Sequence, residues 1–295
     1  MSKINLMALR HSAFYSPYLM TMAGGHLRNA GLDANYVIQT PDNLVRDRLL
    51  DGGCHVSQSA VAAGFSSLEN NAPDDIRHFA QINSRDGFFI ASRKPYENFS
   101  WNDLIDQTVL VDHFFQPLAM LKYALYKKDI NFDSLNVIDA GDVNHIDDAF
   151  RKGTGDFVHQ QGPAPQQLEA DGIATVVASV GDVIGPVAFS SLCATKDWLH
   201  TDMASAFFNA YKLSLQQCKK DDANNIAKQL HKYGFLTDIN FDVLKNTIKT
   251  YQISGCWDHD GLIGKVEYQT LLDVFKYSQL ISKSHAFEEL VTTVI

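Results

Sequence analysis

Paired cysteines are missing from this sequence. Its four cysteines, Cys54, Cys193, Cys218 and Cys256, are far apart and form no CxxC pair. That spacing argues against a disulfide framework and leaves buried free thiols as the expectation. Cys256-Trp-Asp-His259 is an isolated C-x2-H spacing with no second ligand pair nearby, so no structural zinc is expected. Positive charge is also scarce. Lys and Arg number 25 against 34 Asp and Glu, for a formal net charge of −9. A broad nucleic-acid surface needs clustered basic residues, so no nucleic-acid partner is expected. An anionic small ligand stays open, because one local charge or helix terminus can hold it. No run approaches the roughly 18 apolar residues of a spanning helix, and no membrane insertion is expected. The apolar stretch Ile4–Leu9 contains Asn5 and falls short of the about 7–15 residues of a secretory core segment. It reads as a first strand. As written the chain is expected to be cytoplasmic, or periplasmic if a leader has been removed.

Several catalytic signatures are absent too. No GxGxxG follows a strand, and there is no Walker loop, GxSxG elbow or HxxxH pair. No cofactor and no metal are expected.

What is present is a regular alternation. The 295 residues, 45% hydrophobic and 20% charged, suit a globular chain slightly too long for one core, so two lobes are expected. Strands are predicted at Ile4–Leu9, Leu32–Gln39, Cys54–Ser57, Ile76–Asn83, Gly87–Arg93, Thr108–Val111, Asn136–Asp139, Phe157–His159, Thr175–Ser179 and Val187–Ala194. Helices are predicted between them. Pro17 suits a first helical turn capped by Ser16, with the helix running to Asn29 and stopping at Gly31. Shorter helices are predicted at Asp42–Asp51, from Ser59, at Asn98–Ile105, Leu118–Lys128, Ile146–Lys152 and Pro165–Ala170. This alternation predicts an α/β fold with βαβ crossovers and mainly parallel sheets. After Ala194 the pattern turns helical: Asp202–Lys219, Asn224–Tyr233, Phe241–Ser254 and Val266–Leu280. Phe241, Leu244, Ile248 and Tyr251 recur at helical spacing.

Three segments carry a family resemblance. They are Gly31-Leu-Asp-Ala-Asn-Tyr36 with the following Leu49-Leu-Asp-Gly-Gly53; Phe150-Arg-Lys-Gly-Thr-Gly-Asp-Phe157 leading into His159-Gln-Gln-Gly-Pro163; and Tyr251-Gln-Ile-Ser-Gly-Cys-Trp257 leading into Leu271-Leu-Asp-Val-Phe275. In order and spacing the chain resembles the nitrate, sulfonate and taurine binding proteins, a family that also contains the fungal thiamine-pyrimidine synthases. The resemblance implies a two-lobed type II periplasmic-binding-protein fold with ligand in the cleft. Lobe one would be 1–90 plus 190–295, lobe two 91–189, with crossings near 88–93 and 187–194. It implies a small-molecule ligand, and an ABC permease as partner if the mature protein is extracytoplasmic. The alternative is an enzyme on the same scaffold, acting on a thiamine-pyrimidine precursor or another small ring. The synthases place a cofactor-binding lysine and a nearby histidine where this chain has Ser59 and Ala63. No Schiff base to pyridoxal phosphate can form without an amine. Their cysteine-rich run is replaced by Val183–Ala188.

Ligands in open α/β sheets bind beyond the carboxyl ends of strands, near helix N-termini. That rule selects the loop Arg10–Pro17, Gln58-Ser59, the loop Asp112–Pro117, and His159-Gln160-Gln161. Phe14, Tyr15, Phe114 and Phe115 sit in these loops and could wall a planar ring, or plug the lobe cores. Tyr15 and Phe114 are the preferred walls. Arg10 could hold an anion with its fork or sit in an ion pair. His113 and His159 are either cleft donors or structural histidines. Gln58, Gln116, Gln160 and Gln161 each offer a donor and an acceptor, to ligand or to loop backbone. Gln160 and Gln161 should point oppositely along a strand. Ser12, Ser59 and Ser190, the last on the return crossing with Ser191, complete the expected contacts.

Overall fold

The computed structural model describes residues 1–294. The strands are β1 (Ser2–Ala8), β2 (Leu32–Ile38), β3 (Val56–Ser59), β4 (Ile76–Asn83), β5 (Phe88–Ser92), β6 (Thr108–Val111), β7 (Asn136–Ile138), β8 (Phe157–Gln161), β9 (Thr175–Ser179) and β10 (Ser190–Thr195). They form two five-stranded sheets, ordered β2-β1-β3-β10-β4 and β7-β6-β8-β5-β9.

The two sheets repeat one plan. In each, three strands run parallel, β2-β1-β3 and β7-β6-β8. A strand laid antiparallel then joins that group to the fifth strand: β10 between β3 and β4, β5 between β8 and β9. The sheets are therefore mixed rather than mainly parallel. The reason lies in the connections. The chain passes from the first sheet to the second through residues 84–87 and returns through 180–189. β5 and β10 are the first strands after each passage, and both enter against the local strand direction.

Central strands carry the burial their position demands. β3, with neighbours on both edges, is buried at all four residues, polar ones included, as a strand covered on both faces must be. The edge strand β2 alternates toward exposure.

The helical C-terminal region forms as read, with boundaries fixed by caps. Helices α1 (Ser16–Ala23) to α14 (Phe287–Leu290) are numbered along the chain. The four long C-terminal ones are α10 (Asp202–Lys220), α11 (Ala223–Tyr233), α12 (Phe241–Ile253) and α13 (Lys265–Tyr277). Thr201, Asp222 and Asn240 accept hydrogen bonds from the first turns of α10, α11 and α12. Gly234, left-handed at φ 96°, ends α11.

Local differences have local causes. The helix expected to reach Asn29 is broken: α1 stops at Ala23, Gly25 turns left-handed, and α2 (His26–Asn29) restarts. The third strand lies two residues later than read, and its following helix, α4 (Ala63–Glu69), begins correspondingly late. The predicted helix at 98–105 is one 3-10 turn, Trp101–Leu104, closed by a Ser100–Asp103 capping box. Short helices at Val180–Ile184, Lys196–Leu199 and Phe287–Leu290 were not expected.

A large core runs beneath the first sheet and into the crossings. Tyr251, Trp257 and Phe14, all essentially buried, meet there. Tyr251 donates to the carbonyls of Gly87 and Gly162, and the Trp257 indole donates to Phe14 O and Asn83 Oδ1. The C-terminal helices thus hold the passage between the sheets. Among the described residues no helix is long and apolar enough to cross a membrane.

Candidate functional site

A cavity of about 910 Å³ opens between the two sheets. It is lined by the loops after β1, β3, β6 and β8, and also by residues after β2 and β7. All four loops selected from the sequence therefore reach it. Of the residues named there, Arg10, Ser12, Tyr15, Gln58, Ser59, His113, Phe114, Phe115, Gln116, Gln160, Gln161 and Ser190 border the cavity.

Three named residues, Phe14, His159 and Ser191, are not brought to the wall. Phe14 is fully buried and packs against Tyr15, Phe189 and Tyr251, at ring separations of 5.4, 5.4 and 4.9 Å. The 3-10 turn Ala13–Tyr15, capped by Ser12 Oγ, sets the two neighbouring aromatics in different directions. His159 is fully buried and stacks on Phe88 at 4.8 Å. Strand alternation turns it to the opposite face from Gln160. Burial pushes the His159 pKa down to about 4, so the imidazole is neutral, and neither ring nitrogen has a protein partner.

The remaining side chains divide by what already occupies them. Gln58 Oε1 accepts from the backbone of Leu9 and Arg10 at 3.0 and 3.2 Å, which fixes the first loop. Ser12 Oγ donates to Gly162 O across the gap at 3.1 Å. Ser190 Oγ accepts from Asn83 at 2.7 Å, while Ser191 is taken by His78. His113, at the rim, contacts Asp139 Oδ1 at 2.5 Å. That hydrogen bond, with the N–H of Gly141, holds the Asp139 carboxyl below the usual range. Arg10 is ion-paired with Asp112 at 3.3 Å and lies 4.9 Å from the Phe114 ring centroid. The ion-pair reading of Arg10 is the one the structure contains.

Others are left open. Gln160 is only 3% exposed, yet neither atom of its amide has a protein partner. Gln116 donates to Phe189 O at 2.8 Å, but its Oε1 is buried and unpartnered. A buried polar atom without a partner is costly, on the order of 1–3 kcal/mol, which a bound ligand or ordered water offsets. Gln161 borders the cavity as well as Gln160, because β8 ends there and the chain turns away. Its amide reaches the Tyr15 hydroxyl at 3.4 Å.

Sequence reasoning missed part of the wall. Ile38 ends β2 and Gln39 follows it, and Gly141, Asp142, Val143, Asn144, Ile146, Asp147 and Asp148 follow β7, so the strand-end rule could have found them. Asp238 and Ile239 come from the α11–α12 connection, and Phe189 from the return passage. Nothing local in the sequence marks these three. Among the described residues no group of three or more His, Cys, Asp or Glu could hold a metal ion.

Two mixed sheets, joined by a chain that passes between them twice and enclosing a cavity at their strand ends, define the type II periplasmic-binding-protein fold. The aliphatic sulphonate binding protein of Escherichia coli superposes over 100% of this chain and 93% of its own, with a TM-score of 0.76 at 12% identity. The ligand-binding component of an ABC-type import system from Staphylococcus aureus, solved with zinc bound, matches with a TM-score of 0.75 at 18% identity, covering 99% of this chain and 97% of its own. The nitrate-binding protein of Synechocystis gives 0.70 at 13%, over 98% and 84%. The chain belongs to the NMT1/THI5 like family, whose model matches residues 13–224. The putative binding protein YtlA of Bacillus subtilis (strain 168) is 25% identical over 299 residues, covering 100% of this chain and 89% of that protein.

Proposed function

We propose that this protein captures a small polar, ring-bearing metabolite reversibly between two lobes, as the substrate-binding component of an ABC-type importer. The lobes follow the two sheets, residues 1–87 with 190–295 and residues 88–189, so that all of β5 falls in the second rather than being divided at residue 90. The observation that carries the reading is the pairing of unsatisfied amide atoms with aromatic walls in one cavity. Gln160 and Gln116 Oε1 lack partners, and Tyr15, Phe88, Phe114 and Phe189 surround the same space. Convergent polar groups on a largely apolar concavity are the usual architecture of a small-molecule site. Ligand contacts are assigned to Tyr15, Phe114, Gln116, Gln160 and Gln161, with Arg10, Ser12, Gln58, Ser59, His113 and Ser190 shaping the wall around them. Lobe closure stabilises the closed state through the ligand's differential affinity. A permease partner and an extracytoplasmic setting follow from the importer reading and are supported by the names of the structural relatives.

Catalysis on the same scaffold has less support. The histidines on the wall are already engaged, His11 with the Tyr36 hydroxyl at 3.0 Å and His113 with Asp139 at the rim, and His159 is buried behind it. Native mass spectrometry of gently purified protein, followed by thermal-shift screening of neutral ring compounds, tests the proposal. A bound species is expected, and a ligand at about 100 times its Kd raises stability by about 2.7 kcal/mol. Phe114→Ala and Gln160→Ala should weaken that binding with the fold retained. Bare protein with no stabilising compound, or unchanged affinity in both variants, overturns it.

A further inference from the structure

Arg10 follows the end of β1 and Asp112 the end of β6, so the two cavity-lining residues come from different sheets. Both terminal nitrogens of Arg10 donate to Asp112 Oδ2 at 3.3 Å. The other carboxylate oxygen accepts from the Phe114 N–H at 2.9 Å. Asp112 therefore does two things: it shapes the turn that carries Phe114, and it takes the guanidinium charge. Among the described residues this is the only ion pair that joins the residues of one sheet's half to those of the other.

The rest of the wall offers no substitute cation. Arg151, the only other arginine or lysine on it, is held by Asp147 at 2.5 Å and Asp171 at 2.8 Å. Against these two arginines the wall carries Asp112, Asp142, Asp147, Asp148 and Asp238. An oxyanion entering the cavity meets paired arginines and surplus carboxylates, while the free groups, the Gln160 amide and Gln116 Oε1, are neutral.

We infer that Asp112 sets the charge selectivity of the site: by engaging Arg10 it denies the cavity an anion counter-charge, so the site takes uncharged rings with amide-type donors and acceptors and rejects sulfonate- and nitrate-type anions. This rests on the cavity being the ligand site. Specificity of this kind comes from a built-in repulsive element as much as from attraction. An arginine fork released from its carboxylate is well shaped for an oxyanion.

The test is calorimetric titration of methanesulfonate, nitrate and the sulfonate buffer MOPS into wild type, Asp112→Asn, Asp112→Ser and the Asp112→Asn/Arg10→Gln pair. Asn and Ser both keep an oxygen able to accept from the Phe114 N–H, so the turn is preserved. Wild type should show no saturable heat up to roughly millimolar anion. Asp112→Asn should bind methanesulfonate at least about tenfold more tightly than wild type. That gain should shrink with added salt and vanish in the double variant. The inference falls if wild type binds these anions in the micromolar range, if both single variants fold yet gain nothing, or if the gain survives loss of Arg10. Should neither single variant fold, the wild-type titrations decide alone. Native mass spectra of the wild type judge the ligand site itself, so a failed charge filter and a failed binding site read differently.

Discussion

Gly181 lies directly against the backbone of Asp86: a Cβ placed on Gly181 would sit 2.4 Å from the Asp86 carbonyl oxygen. The first residue belongs to the return passage between the sheets and the second to the outward passage. The two crossings therefore touch at a point where only hydrogen fits. Gly181→Ala should destabilise the protein by about 1–3 kcal/mol, the usual penalty for overpacking. A lowered urea midpoint with unchanged slope is the expected readout; an unchanged midpoint would show that the crossings slide freely past each other.

Phe14 and Tyr15 are adjacent in sequence and should respond oppositely. Phe14→Ala empties a fully buried site among three aromatic rings and should cost about 3–5 kcal/mol of stability. Tyr15→Phe removes only a hydroxyl whose partner, Gln161, is 3.4 Å away, with a loss of no more than about 0.5–1 kcal/mol. Ligand affinity should follow the second substitution more than its stability does. Equal denaturation midpoints for Phe14→Ala and wild type would refute the core assignment.

Asp86 gives the protein a pH signature. Its carboxyl is buried, and burial pushes the pKa up to about 8, helped by the charge of Asp112 and opposed by the Phe88 N–H. The folded pKa thus exceeds the unfolded value of about 3.9. The folded state binds the extra proton between these limits, so the contribution of Asp86 is present at low pH and is lost as pH rises through 8. Asp86→Asn lacks that loss. Its stability relative to wild type should climb from about pH 4 and level off above pH 8, by an amount on the order of a few kcal/mol. A difference independent of pH would mean that the carboxyl is ionised in the folded protein.

Three histidines, the buried His78 and His159 and the half-buried His259, act in the opposite sense. Burial lowers His78 to about 3, and His159 and His259 to about 4. Each folded pKa lies below the unfolded value near 6.5. Their contribution is complete above that value and declines as pH falls toward the folded pKa values, because the unfolded chain takes up the protons. Denaturant midpoints should therefore drop between pH 6.5 and 4. His159→Gln should lessen the drop by about one proton's worth of slope, and an unchanged slope would place a proton on the buried ring.

Much of the fold was legible where apolar runs are short and bounded. Thr108–Val111, Ile76–Asn83 and Thr175–Ser179 are strands with the predicted limits. The C-terminal helices follow from 3.6-residue spacing and polar caps. Strand direction was not legible in β5 and β10, since their neighbours are fixed by pairings between residues far apart in the chain, such as Cys193 with both Ser57 and His78. The site shows the same division. Strand ends told which loops matter, because helix starts and polar residues cluster there. They could not tell Phe14 from Tyr15, or His159 from Gln160, where one turn or one step of the pleat decides which side chain meets the cavity. Nor could they reveal that Arg10 is already engaged by Asp112, a partner 102 residues away.

The place of β10 has a consequence for how the chain is made. β3 and β4 never pair with each other; β10 lies between them. As the polypeptide leaves the ribosome, every other strand of both sheets emerges before residue 190. The first half must therefore wait, two strand edges bare, while the second half can already close on itself. Translation thus ends the dangerous interval only when Ser190–Thr195 slides into its slot, and exposed edges of that kind are where nascent chains recruit chaperones or stick to one another.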